Sequence, residues 1–143
     1  MFKKAIKYIL LTCTLGLASV QAAFADTVVF ASLWDKGPVM GLTLDKETAP
    51  AGNVIFHVVN DSKTLTHEML VIKVNNFSDA LPYQPSKVEL NEDKLHAIGE
   101  THSLKPGGYK KVTFNLKAGK YLLVCNKAGH FESGMFTKFI VSN

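Results

Sequence analysis

Near its C-terminus the chain reads Cys125-Asn126-Lys127-Ala128-Gly129-His130-Phe131-Glu132-Ser133-Gly134-Met135. A thiol, an imidazole and a thioether recur there at five-residue spacing, between the apolar runs Tyr121–Val124 and Phe136–Val141. A fold that exploits all three must end one strand at Cys125 and begin the next at Phe136. The loop between them then turns His130 and Met135 back toward the sulfur. Gly129 and Gly134 supply backbone freedom for those turns. A second imidazole is available from His67, at the head of the strand-like run His67-Glu68-Met69-Leu70-Val71-Ile72. A thiolate and two imidazoles in a plane, with a weak thioether on the axis, suit copper above other metals. Zinc accepts the same thiolate and imidazoles but takes water or a harder donor more readily than a thioether.

Cysteine usage agrees with a metal site. Lys3, Lys4 and Lys7 precede an apolar stretch from Tyr8 to Val20, and Ala23-Phe24-Ala25 follows. This pattern predicts a secretory signal peptide over 1–25, removed before Asp26, rather than a retained membrane anchor. Cys13 leaves with it, and no later segment is apolar enough to span a membrane. Cleavage of the first 25 of 143 residues leaves 118, one domain (26–143) large enough for a single core. One cysteine then remains, which cannot form an internal disulfide. A lone thiol in an exported protein is exposed to oxidation unless a metal holds it.

Charge excludes other classes. All 16 basic residues are lysines, and three lie in the signal segment. The other 13 face 12 acidic residues, a net +1, so the basic isoelectric point belongs partly to the precursor. There is no basic stripe for nucleic acid and no arginine for bidentate phosphate clamps.

The remaining sequence reads as short strands. Thr27–Leu33 and Val39–Leu44 flank Gly37-Pro38. Ala49–Gly52 is a turn, and Asn53–Asn60 alternates with Val54, Phe56 and Val58 on one face. His57 falls on the other face, as an outer or inter-strand residue. Thr66–Val74 is a further strand. Residues 77–103 are an irregular or helical excursion across one edge, with a short helix within Ser86–His96 capped by Ser86. Tyr109–Leu116, Lys120–Cys125 and Phe136–Val141 complete the pattern. Strands at this spacing, punctuated by Gly and Pro, predict an all-β Greek-key sandwich. Met40 and Met69 read as core. His96 and His102, six apart, read as surface histidines or a weak second metal site.

From Val39 to Val141 the chain resembles the cupredoxins. The resemblance runs through Ala51-Gly52-Asn53-Val54-Ile55-Phe56, His67-Glu68-Met69, Leu104-Lys105-Pro106-Gly107, Ala118-Gly119-Lys120-Tyr121, Tyr121–Cys125 and Gly129-His130. The gaps on either side of the second histidine are most similar to those of rusticyanin and auracyanin. It implies one copper ion, Cu(I) or Cu(II), held by His67, Cys125, His130 and Met135. Two positions depart from the family pattern. Glu68 stands where many members have Asn, and Asn126 where many have Ser or Thr; Asn126 is expected to donate to the Glu68 side chain or to backbone. The implied function is periplasmic electron transport by a monomer that is not an enzyme. Its partner is a redox protein such as a c-type cytochrome, docking briefly on the small and apolar residues around His130. Lys127 there either meets an acidic rim or is simply solvated. The alternative is a periplasmic copper-binding protein for copper tolerance, which uses the same ligands.

Overall fold

The computed structural model describes residues 25–143; the expected signal peptide falls on 1–24 and Ala25, so all but its last residue lies outside the described residues. Eleven strands follow in order: β1 Thr27–Lys36, β2 Val39–Leu44, β3 Thr48–Pro50, β4 Gly52–Asn60, β5 Leu70–Val74, β6 Tyr83–Gln84, β7 Glu89–Leu90, β8 Ala97–Glu100, β9 Tyr109–Leu116, β10 Gly119–Val124 and β11 Phe136–Ser142. One sheet has the order β2-β1-β4-β9 and the other β3-β11-β10-β5-β8, with β6-β7 as a separate hairpin. The all-β sandwich expected from the strand spacing is the observed architecture. Among the described residues no helix is long and apolar enough to cross a membrane.

Alternation along β4 builds the core. Val54, Phe56 and Val58 are fully buried between the sheets, while Ile55, His57 and Val59 face outward and are only partly covered. Phe56 meets Phe139 of β11 edge-on at 5.5 Å, joining the two sheets. Met69, Leu123, Cys125 and Met135 belong to the same cluster, so the C-terminal loop is anchored in the core. β1 runs parallel to β4, pairing Thr27 with Val54 through Leu33 with Asn60. The end of β1 therefore lies beside the loop that follows β4 and delivers His67.

Four local expectations are corrected. Residues 86–96 form no α-helix: Ser86 lies in the turn of the β6–β7 hairpin, and one 3-10 turn spans Glu92–Lys94. Its predecessor, Asn91, makes no side-chain cap. The excursion does more than cross an edge. It adds β8 to the second sheet, and Phe77, Leu81, Tyr83, Leu90 and Leu95 cover the outer-face residues Leu70, Ile72, Leu122 and Val124. The strand foreseen from Thr66 begins only at Leu70; His67 is held outside it by an isolated bridge to Leu104. β3 also occupies part of the expected Ala49–Gly52 turn, because it pairs in parallel with the last strand.

Candidate metal centre

His67 is held by its own backbone and by Asn60. Its N–H donates to the Leu104 carbonyl (3.1 Å), and its carbonyl accepts the Leu104 N–H in return (2.7 Å). The buried Asn60 side chain donates to the carbonyls of Leu65 and Leu104, tying the end of β4 to both flanks of the bridge. Cys125 follows β10, and its N–H donates to the Met135 carbonyl (3.0 Å), closing the loop at its neck. Inside the loop the chain turns on itself: His130 N–H reaches Lys127, and Met135 N–H reaches His130. Gly129 and Gly134 have φ of 81° and 86°, the left-handed region anticipated for them.

These supports converge three donor atoms. His67 Nδ1 lies 3.1 Å from His130 Nδ1 and 3.9 Å from Cys125 Sγ, and His130 Nδ1 lies 3.4 Å from that sulfur. A circle through the three atoms has a radius of about 2.0 Å, at the short end of the roughly 2.0–2.3 Å range of metal–imidazole and metal–thiolate bonds. Among the described residues this is the one group of His, Cys and carboxylate side chains arranged to hold a metal ion. Met135 is fully buried in the same core cluster as Cys125. The donor set therefore fits a soft metal ion in a site with an apolar floor. His67 and Cys125 are inaccessible, whereas His130 is half-buried.

The electrostatics describe a site built for a cation. Burial pushes the Cys125 thiol up from its ordinary value, and the Glu68 charge adds to this, against the pull of the Lys127 and Glu68 backbone amides and the Lys127 charge. The Glu68 N–H lies 3.4 Å from the sulfur. Burial, then the facing His67, hold His130 below the ordinary histidine value. The thiol thus resists ionising until a positive ion stands beside it, while the imidazole stays neutral and keeps a lone pair for that ion.

Around the donors the sequence reading is partly corrected. Asn126 does not reach Glu68. Its amide accepts the Leu90 N–H (2.7 Å) and donates to the Leu90 carbonyl and to Glu92, so it fastens the loop to the excursion. The backbone alternative is the one that holds. Glu68 instead binds Lys127 at 2.7 Å, with side chains 7% and 33% exposed. Lys127 is therefore neither simply solvated nor free. Its ammonium is held above the ordinary lysine value, because the Glu68 bond and charge outweigh the opposing effect of burial. His57 stands on the outer face between Phe30 and Tyr109, as expected. His102 is exposed and pairs with Glu100, and neither it nor His96 joins a metal-holding group among the described residues.

One functional neighbour escaped the sequence reading. Asp35 lies 3.2 Å from His67 Nε2. It sits just before the Gly37-Pro38 turn, where an aspartate looks like an ordinary turn residue. Only the parallel β1–β4 pairing brings it to the site.

Residues 46–143 match the family model of the sulfocyanin (SoxE) domain. No match is found among the curated proteins. Similar solved structures include a reduced rusticyanin, 25% identical with a TM-score of 0.64, covering 87% of each chain. Rusticyanin from Thiobacillus ferrooxidans is 24% identical with a TM-score of 0.65, over 84% of this chain and 79% of that one. Dithionite-reduced auracyanin from the photosynthetic bacterium Roseiflexus castenholzii is 21% identical with a TM-score of 0.58, over 85% of this chain and all of that one. One of the similar rusticyanin structures is described as that of a copper protein.

Proposed function

The chain belongs to the sulfocyanin (SoxE) domain family of cupredoxins, and from that premise we propose that it is an exported type 1 copper protein that carries single electrons between redox partners. One copper ion is held by His67 Nδ1, His130 Nδ1, the Cys125 thiolate and the Met135 thioether. The observation that carries this reading is the convergence of three donor atoms on one circle of bond-length radius, with Met135 buried in the same core cluster as Cys125. Bound there, copper supplies a one-electron couple between Cu(II) and Cu(I).

The chain's own residues do the rest. Cys125 gives up its proton on loading, and the Glu68 and Lys127 amides then stabilise the sulfur charge. The Leu104 bridge, the Asn60 ties and the neck bond between Cys125 and Met135 hold the donors still, which limits rearrangement when charge changes. His130 is the donor side chain nearest solvent. Phe131 packs against Phe136, 5.4 Å between rings, and Phe136 is 41% exposed. This small apolar surface is where a partner such as a c-type cytochrome docks and leaves quickly. Residues 1–25 direct export and are cleaved, leaving the domain in the periplasm.

The test is reconstitution of the mature protein with one equivalent of copper. The oxidised form is expected to show an intense visible thiolate-to-copper band that Cys125→Ala abolishes. A variant that keeps the colour overturns the site. Function is tested by gene deletion, which should impair a respiratory or redox activity more than growth on toxic copper. If deletion sensitises cells to copper and a potential-shifted, metal-binding Met135→Leu protein restores full tolerance, the protein guards against copper and the carrier reading fails.

A further inference from the structure

His67 has no exposed surface, and both of its ring nitrogens are committed. Nδ1 faces the other two donors, while Nε2 faces the Asp35 carboxylate at 3.2 Å. An imidazole that offers the Nδ1 lone pair must carry its proton on Nε2. A buried N–H there requires an acceptor. Asp35 is that acceptor, its side chain only 13% exposed. Among the described residues its one ion-pair partner is His67. The other carboxylate near the site, Glu68, is by contrast neutralised by Lys127. Asp35 also lies outside the stretch 46–143 that matches the family model.

We infer that Asp35 is a positioning residue for the copper centre: it holds His67 in the Nε2–H tautomer and places an uncompensated, largely buried negative charge behind that ring. The inference rests on the copper reading given above. The consequence is directional. A hydrogen bond from Nε2–H to a carboxylate makes Nδ1 a stronger donor. A nearby negative charge favours the more positive of two metal states, and a site of low effective dielectric weakens it less than water does. Asp35 therefore favours Cu(II) over Cu(I) and sets a lower reduction potential than the same four donors would have without it. Asp35 sits just beyond the last parallel pair, Leu33 with Asn60, where β1 continues only as the partner of β2, with Asp35 opposite Met40.

Asp35→Asn is the decisive substitution. The amide keeps the volume and an acceptor oxygen but removes the charge. The visible band should remain, while the preference for Cu(II) over Cu(I) falls about tenfold, read by voltammetry as a potential about 59 mV higher. Asp35→Ala removes the acceptor as well and should weaken metal binding roughly 10–100-fold. A second measurement is independent of copper: nitrogen-15 NMR of the metal-free wild-type protein should show His67 protonated on Nε2. An unchanged or lower potential in a blue Asp35→Asn protein overturns the inference and leaves the copper reading intact. His67 protonated on Nδ1 in the metal-free wild type overturns it too, whether or not the variants fold. A wild-type protein that develops no visible band with copper overturns the copper reading instead, and the tautomer measurement still decides whether Asp35 positions His67.

Discussion

Lys127→Met removes the positive partner of Glu68 while keeping the length and apolar stem of the side chain. The two charged groups lie 2.7 Å apart, and the Glu68 side chain is 7% exposed. An exposed pair is worth about 0–1 kcal/mol, whereas breaking a buried one costs about 3–5 kcal/mol, because a charge is stranded. Lys127 is 33% exposed, so water softens the loss. Ser103, 3.5 Å from Glu68, offers only a long contact in compensation. The expected cost lies between the two classes, about 2 kcal/mol. The roughly 120 described residues unfold with an entropy of about 0.25 kcal/mol/K, which turns that cost into a melting temperature about 8 °C lower. The assay is thermal and denaturant unfolding of the metal-free protein, so that copper affinity does not enter. Glu68→Gln in the Lys127→Met background should recover more than half of the loss, since the stranded charge is then gone. A cost below about 0.5 kcal/mol, or no recovery in the double variant, would show that solvent screens the pair and refute the argument.

Three further outcomes are expected. Met135→Leu should retain copper and raise the reduction potential, because a weak thioether donor helps Cu(II) more than Cu(I); an unchanged or lower potential would count against Met135 as the axial donor. Asn126→Ala should cost about 2–3 kcal/mol in denaturant unfolding, since the Leu90 N–H loses its partner in a buried setting; a loss within experimental error would mean that water replaces the amide. The metal-free protein should be most stable between about pH 6.5 and 9.0, the ordinary histidine and thiol values. Below that window the unfolded chain protonates more readily than folded His130, and above it the unfolded chain loses its thiol proton before folded Cys125, so stability falls on both sides. A melting temperature that climbs from pH 9 to 10 would contradict the burial of Cys125.

Much of this protein is local in origin and so was legible along the chain. Alternation placed Val54, Phe56 and Val58 inward, because strand period and burial are both short-range consequences of sequence. The loop from Cys125 to Met135 declared its donors because one loop between two strands can carry three of them, with Gly129 and Gly134 marking the turns. His67 was legible through its residue type and the strand behind it. What depends on which distant strand lies alongside was not. Asp35 resembles a turn aspartate until β1 is laid parallel to β4. Glu68 and Lys127 are two charges 59 positions apart until the Leu104 bridge and the C-terminal loop press them together. Asn126 chose Leu90 over Glu68 because the excursion folds over the outer face of the second sheet and offers an unpaired backbone amide and carbonyl there. The helix expected near Ser86 gave way for the same reason. Apolar side chains of that segment gain more by covering the outer face of β5 and β10 than a short, isolated helix gains from its own hydrogen bonds. Sequence alone indicated the main strands and the candidate donors; tertiary structure decided which charges surround them, since charge pairs form across space between segments whose spacing along the chain carries no record of their contact.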